Sequence, residues 1–318
     1  AEMQLPTGIE ENGAKSAREI LADAVPDVWT TVQARMAPFA HILCENLRTL
    51  LEPTISDRLK GDYKTGKRLN IKKLIPYIAS NYQKNKIWLR RTMPSRRSYQ
   101  IAIAIDDSRS MAVNSVSTAC IECISLLLTA LHNLESGELA VLALGGEMRV
   151  CHSFEDPFDC TSVGERCLKE LTFRQKHTNF HKFLTSSLEY LDEHRSRAWN
   201  SSRGTSEDVM QLMFIISDGQ ITENRAAIQR HTARANANNQ LLVFILLDIG
   251  KDTDALNAES VLNMERIEIG PNGSVIRRPY LEDFPFPFYV VVQDIANTPE
   301  VVAAVVKQWI FETLSTGN

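Results

Sequence analysis

Residues 98–111, SYQIAIAIDDSRSM, constrain this chain more than any other stretch, because an apolar run stops abruptly at two carboxylates and two serines. Ile101, Ile103 and Ile105 with alanines between them read as a strand buried on both faces, the kind found inside a parallel sheet. Ligands of open α/β sheets collect beyond the carboxyl ends of the strands. Asp106, Ser108 and Ser110 stand there at alternate positions, so one turn can aim three oxygens at a single point. Carboxylate and hydroxyl oxygens are hard donors that suit Mg²⁺, Mn²⁺ or Ca²⁺ and lack the sulfur and imidazole that zinc prefers. The plainer reading is that Asp106 caps the next helix while the serines satisfy turn amides. On this stretch alone both readings stay open.

A second apolar run, Val209 to Ser217, ends at Asp218-Gly219 and delivers another carboxylate to the same sheet edge. Between the two runs lies a polar loop, Arg174 to Asn179, with Thr178 just ahead of an amphipathic helix. Thr172 lies in the same loop region and competes with Thr178. Asp107 competes with Asp106, although only Asp106 has the spacing to both serines. Asp-x-Ser-x-Ser, a loop Thr and a strand followed by Asp-Gly together resemble the metal-ion-dependent adhesion site of von Willebrand factor A domains. By that resemblance Asp106, Ser108, Ser110, Thr178 and Asp218 hold a divalent cation, with Mg²⁺ favoured and Mn²⁺ or Ca²⁺ as alternatives. A carboxylate from a partner would complete the shell. Arg109, His177, Asn179 and Gly219, interleaved with these ligands, are the expected partner contacts. No nearby residue offers itself as a general base, so the site reads as a binding device rather than a catalyst.

The remaining pattern alternates strands with helices. Val116–Leu134, Val163–Leu171, Phe180–His194 and Glu223–Asn238 have helical character, and Glu138–Leu144, Leu241–Asp248 and Phe288–Val292 read as strands. Met148–Phe154 is expected as an antiparallel edge, Arg195–Asp208 as a polar surface loop, and residues from Pro299 to about Leu314 as the last helix. Residues 266–278 form a small hairpin around Pro271-Asn272-Gly273. This order predicts a doubly wound, mostly parallel α/β sheet with helices on both faces, occupying residues 96–318. Residues 1–95 are expected as a helical extension and basic linker. Within it, Ser16–Ala24 and Asp27–Leu51 are two helical stretches, the second carrying Val28, Val32, Met36, Ile42, Leu43, Leu47 and Leu50 along one side, with Pro38 expected to kink or divide it.

Residues 61–68, GDYKTGKR, imitate a phosphate-binding loop, yet Arg68 stands where a Ser or Thr should reach Mg²⁺ and no buried strand precedes Gly61. A turn followed by a basic helix, Ile71–Asn81, is the better reading. Lys84, Lys86, Arg90, Arg91, Arg96 and Arg97 surround Ile87, Trp88 and Leu89, a solvated edge that could also dock an acidic neighbour or RNA. The whole chain carries a net charge of −4, against a protein built chiefly to coat nucleic acid. No uninterrupted apolar run is long enough to span a bilayer, so no membrane is expected. The six cysteines read as reduced, partly buried residues of an intracellular protein, and Cys120-x-x-Cys123 lies in an apolar helix with no second pair to make a zinc site.

Two flanking segments narrow the resemblance: residues 61–111 around the first strand, and YLEDFPFPFYVVVQDI at 280–295. They are similar to the carboxy-terminal adhesion-site domain of the dynein-related AAA ATPases of ribosome assembly. That resemblance implies a nuclear module that grasps ubiquitin-like domains of pre-60S assembly factors through an acidic side chain, while the AAA ring of the same polypeptide pulls to release them. A chelatase-type adaptor working with a separate AAA ATPase is the alternative.

Overall fold

The computed structural model describes residues 17–51, 59–65, 68–91, 98–112, 114–135, 137–175, 178–201, 209–221, 225–249, 260–269 and 275–316. In chain order the elements are α1 (Ala17–Leu51), β1 (Leu59–Tyr63), β2 (Arg68–Leu69), α2 (Ile71–Ala79), β3 (Trp88–Arg91), β4 (Ser98–Asp106), α3 (Asn114–Leu134), β5 (Gly137–Leu144) and β6 (Arg149–His152). Then come α4 (Cys160–Glu170), α5 (Phe180–Ser201), β7 (Val209–Ser217), α6 (Arg225–Ala237), β8 (Gln240–Leu247), β9 (Glu265–Ile269), β10 (Val275–Pro279), β11 (Tyr289–Val292) and α7 (Thr298–Thr316).

Six strands form the main sheet in the order β11-β8-β7-β4-β5-β6. All neighbours are parallel except the edge pair β5 and β6. The sheet is therefore wound outward in both directions from β4 and β7, and the crevice of such a sheet opens at that switch point. β4 and β7 end at Asp106 and Ser217, the latter followed by Asp218, so both candidate carboxylates leave the sheet there. Alternation along the strands divides the core. Ile101, Ile103 and Ile105 of β4 pack with Leu212, Phe214 and Ile216 of β7 on one face, against residues of α3, α4 and α7. Ala102, Ala104, Met213 and Ile215 turn to the other face, against α5, α6 and Phe286. Small alanines there leave room for Phe180, Phe183 and Leu184 of α5.

α1 joins the first of these two cores. It packs chiefly against α3 and also against α7 and α4. Val25, Trp29, Met36, Ala40, Leu43, Cys44, Leu47 and Leu51 are its buried side chains among the described ones. The helix is continuous through Pro26 and Pro38, where a kink or division was expected. Buried side chains lie on both sides of Pro38, so tertiary packing outweighs a local cost of about 3 kcal/mol. Trp29 and Ala40 take the place of Ile42, which is turned to solvent with 47% exposure. Tyr99 of β4 donates its hydroxyl to the Leu51 carbonyl at 3.1 Å, fastening the end of α1 to the sheet.

α5 also departs from expectation, since it continues to Ser201 where a surface loop was expected from Arg195. Arg195 donates to the Asn238 carbonyl at 2.8 Å and Arg197 pairs with Glu193 one turn back, which supports the extra turns. Residues 202–208 lie outside the described residues, as do residues 1–13 and the Pro271-Asn272-Gly273 turn. The strands of that hairpin, β9 and β10, pair antiparallel. α3 is long and apolar enough, by length and composition, to cross a membrane, but here it is a core helix. All six cysteines are free and buried. Burial pushes the Cys123 and Cys167 thiols up to about 12 and leaves them un-ionised at neutral pH. Gly61 lies within strand β1, and β1, β3 and β2 make a separate small sheet, while Gly66 and Lys67 lie outside the described residues.

Candidate metal centre

Asp106, the last residue of β4, is 2% exposed, and Asp218, just beyond β7, is 3% exposed. The backbone turns at once after Asp106, and its Oδ1 accepts the Ser108 amide at 2.9 Å. That turn brings the Ser108 and Ser110 hydroxyls within 2.9 Å of each other. Asp106 Oδ2 accepts the Ser217 hydroxyl across the switch point at 2.7 Å. Gly219 follows Asp218 at a φ of +78°, a conformation that favours glycine, and its amide donates back to the Ser217 hydroxyl at 3.2 Å. The Tyr280 hydroxyl bonds the Gly219 carbonyl at 2.8 Å and accepts the Ile221 amide at 3.1 Å, which anchors the turn from the opposite side.

Burial pushes the Asp106 carboxyl up to about 6; the Ser217 hydrogen bond opposes the rise and the neighbouring Asp218 charge adds to it. Among the described residues neither carboxylate has a Lys, Arg or His partner. Two adjacent buried carboxylates met only by hydroxyls and amides are costly unless neutralised. A divalent cation is what such a site fits, and the oxygen-only donor set suits a hard ion such as Mg²⁺.

Asp107 shows the contrast. It is fully buried, one residue on, and its charge is already answered. Oδ1 accepts the amides of Thr172 at 2.8 Å and Phe173 at 2.5 Å, and Oδ2 accepts from Arg149 at 2.5 Å and Gln175 Nε2 at 3.3 Å. Phe173 sits in the left-handed region at φ +49°, which lets two successive amides reach the same oxygen. A non-glycine residue there costs roughly 1 kcal/mol, less than two charge-assisted hydrogen bonds return. Asp107 is thus the anchor of the 172–175 loop and not a rival of Asp106. Thr172 is held by Asp107 through its amide and, at 3.4 Å, its hydroxyl.

Gln175 completes the attachment. It bridges to Ser108 as a short parallel pair, receives the Arg109 amide on its carbonyl at 2.9 Å, and accepts the Gly146 amide on Oε1 at 2.8 Å. Thr178 follows three residues later, half-buried, two residues ahead of α5. Its neighbours are tied to the edge that carries Asp106, through Gln175 on one side and the Asn179 amide on the Gly145 carbonyl at 3.2 Å on the other.

The expected partner contacts fall into three groups. Arg109 is exposed beside the serines. Asn179 is exposed, yet its Oδ1 caps α5 by accepting the Lys182 amide at 2.7 Å. Gly219 is buried with both backbone polar groups engaged, so it shapes the Asp218 turn and does not present itself to a partner. His177 lies outside the described residues. The sequence reading weighed Asp107 only as a competitor of Asp106 and missed its loop-holding role, and it missed Gln175 and Tyr280. Each acts through contacts between segments far apart in the chain, and no local pattern announces them.

No family model matches the sequence. Curated relatives do, two midasins among them. Midasin of Dictyostelium discoideum is 36% identical over 290 residues, 91% of this chain, and midasin of Giardia intestinalis is 35% identical over 315 residues, 97% of it. The chain belongs to the midasin family. It spans only 5% and 6% of the lengths of those two midasins, so it corresponds to one small portion of such proteins. Among solved structures it is similar to the protein BatB from Bacteroides thetaiotaomicron, with a TM-score of 0.43 and 13% identity over 67% of this chain and 98% of that one. It is also similar to the VWA domain of SpRpn10, with a TM-score of 0.39 and 12% identity over 66% and 95%. The architecture itself, a doubly wound sheet with Asp-x-Ser-x-Ser at its switch point, is of the von Willebrand factor A type.

Proposed function

We propose that this midasin segment is a metal-dependent protein-binding module that captures an acidic side chain of a partner. The observation that carries the reading is the pair of buried carboxylates, Asp106 and Asp218, without a cationic partner among the described residues, beside two converging hydroxyls at the sheet's switch point. Asp106, Ser108, Ser110, Thr178 and Asp218 would hold Mg²⁺. When bound, the ion supplies positive charge at the mouth of the crevice for a Glu or Asp of the partner.

The chain's own residues prepare that encounter. Ser217 and the Ser108 amide orient the Asp106 carboxylate so that it need not reorganise on loading. Hydroxyls contribute no charge, so much of the ion's attraction for a further carboxylate survives. Asp107 and Gln175 hold the loop ahead of Thr178 at its place. The family resemblance names the partners as ubiquitin-like domains of pre-60S assembly factors in the nucleus, removed by an AAA ring elsewhere in the polypeptide, with no catalysis in this segment itself.

The test is isothermal titration of this chain with a purified ubiquitin-like domain of an assembly factor, with Mg²⁺ and with EDTA, for the wild type and Asp106→Ala. Binding in Mg²⁺ that EDTA and the substitution both abolish, in a chain that remains folded by circular dichroism, supports the reading. Binding indifferent to chelator and substitution refutes it.

A further inference from the structure

Residues 63–105, which lead up to Asp106, contain eleven Lys or Arg and no Asp or Glu, in a protein whose overall charge is −4. α2 stands in the middle of this stretch. No residue of α2 is buried. Ile71, Ile75 and Ile78 are 78%, 76% and 55% exposed, and Leu69 before the helix and Tyr82 after it are 43% and 64% exposed. Positions 71, 75 and 78 fall on one side of a helix, so the three isoleucines make a single stripe. Of the ten large apolar side chains exposed among the described residues, five lie in the fourteen positions from 69 to 82. Scattered exposed apolar residues need no explanation, whereas half of them gathered on one short element do.

The element is built to hold that face outward. Asn70 caps α2 by accepting the Lys72 amide at 3.2 Å. At the other end Asn81 and Tyr82 both adopt left-handed backbone, with φ of +49° and +65°. The reversal folds Tyr82 back so that its amide bonds the Tyr77 carbonyl at 3.0 Å and its ring meets that of Tyr77 edge-on at 5.1 Å. Two consecutive strained residues without a glycine are a cost that persists where a surface has a use. Arg68, Lys72, Lys84 and Lys86 are exposed around this helix and its two flanking segments.

We propose that the α2 face is a docking site for an acidic amphipathic helix of a partner protein. Its apolar side chains would lie on Ile71, Ile75 and Ile78, and its flanking carboxylates would meet Arg68, Lys72, Lys84 and Lys86. This is helix-on-helix recognition of the kind that reads apolar anchors at i, i+4 and i+7. Nucleic acid would match the charge but not the stripe, because branched aliphatic side chains offer bases no face to stack on. None of the metal-centre residues belongs to this face.

The test uses the whole chain and fluorescence anisotropy with a labelled synthetic helix carrying leucines at heptad spacing and glutamates elsewhere. A shuffled peptide of the same composition, polyuridine RNA and phosphatidylserine vesicles are the comparison probes. The heptad peptide binds best of the four, and Ile75→Glu weakens it by about tenfold or more, the scale of a central interface anchor. Lys72→Glu weakens it and makes it less salt-dependent. EDTA and Asp106→Ala leave it unchanged, which separates failure here from failure of the metal-dependent reading. Equal binding of the shuffled peptide, preference for RNA or vesicles, or indifference to both Ile75→Glu and Ile78→Ser would overturn the proposal.

Discussion

Asp107 and Arg149 form an ion pair at 2.5 Å in which the carboxylate is wholly buried and the guanidinium side chain is 41% exposed. Truncating the arginine leaves a buried charge with only neutral donors, Thr172, Phe173 and Gln175. Arg149→Met is therefore expected to cost about 2 kcal/mol in urea unfolding, less than for a fully buried pair because solvent already screens the arginine. The same substitution should loosen the loop that Asp107 anchors. Hydrogen exchange at the Thr172 and Phe173 amides reads this directly, and unchanged protection there would show that Arg149 serves no loop-holding role.

Asp106 sets the pH response. Burial raises its folded carboxyl from the ordinary 3.8 to about 6, so the folded metal-free chain binds more protons than the unfolded chain between those values. Stability from this group is present below about pH 4 and lost as pH rises through about 6, a difference on the order of 3 kcal/mol. In EDTA the melting temperature should fall from pH 5 to pH 7 more steeply for the wild type than for Asp106→Asn. Mg²⁺ must displace the proton, so its stabilisation should be large at pH 7.5 and small at pH 5. Equal stabilisation by Mg²⁺ at both values would disconnect the ion from Asp106.

At the opposite edge of the sheet three buried amides on neighbouring strands, ending on an exposed carboxylate of a fourth, make a ladder. Gln211 of β7 donates to Gln100 Oε1 of β4 at 2.7 Å and accepts from Gln240 Nε2 of β8 at 2.9 Å, while Gln100 donates onward to Glu138 of β5 at 2.8 Å. These four residues are cross-strand neighbours in the parallel register. A slip of one residue would break every rung, so the ladder holds the alignment that puts Asp106 and Asp218 at the same level. Gln211→Ala leaves two amides and the Leu191 carbonyl without their partner, and should cost about 2–4 kcal/mol. Metal-dependent binding by the molecules that remain folded should be unaffected. Weaker binding at equal folded fraction would contradict this separation of scaffold from site.

Much of this architecture was legible in the sequence because the strands are nearly pure apolar runs. The run from Ile101 to Ile105 and its stop at Asp106 are enough to place β4 in the interior and its end at the crevice. Asp218 was legible for the same reason. The helical extension was read less well, since Pro38 outweighs its surroundings in any local argument, whereas the buried face of α1 is a tertiary fact. Asp107 is the sharper case. Beside Asp106 it looks like a spare ligand, and only the fold shows that its acceptors are spent on amides 65 and 66 residues away.

Thr172 and Thr178 give the most direct test of how the loop serves the site. Thr172→Val keeps the backbone amide on Asp107 and removes only a 3.4 Å hydroxyl contact, so it should change Mg²⁺-dependent partner binding by less than about twofold. Thr178→Val removes a hydroxyl proposed for the cation while preserving side-chain shape, and should weaken Mg²⁺-dependent binding by about tenfold or more. Titrating Mg²⁺ into each variant in the presence of a fixed ubiquitin-like domain gives both values in one experiment. Gln175, paired with Ser108, lies between the two threonines in the chain. If Thr172→Val proves the damaging change and Thr178→Val the silent one, the loop must rearrange on binding, and Asp107 would then be releasing the segment it holds here.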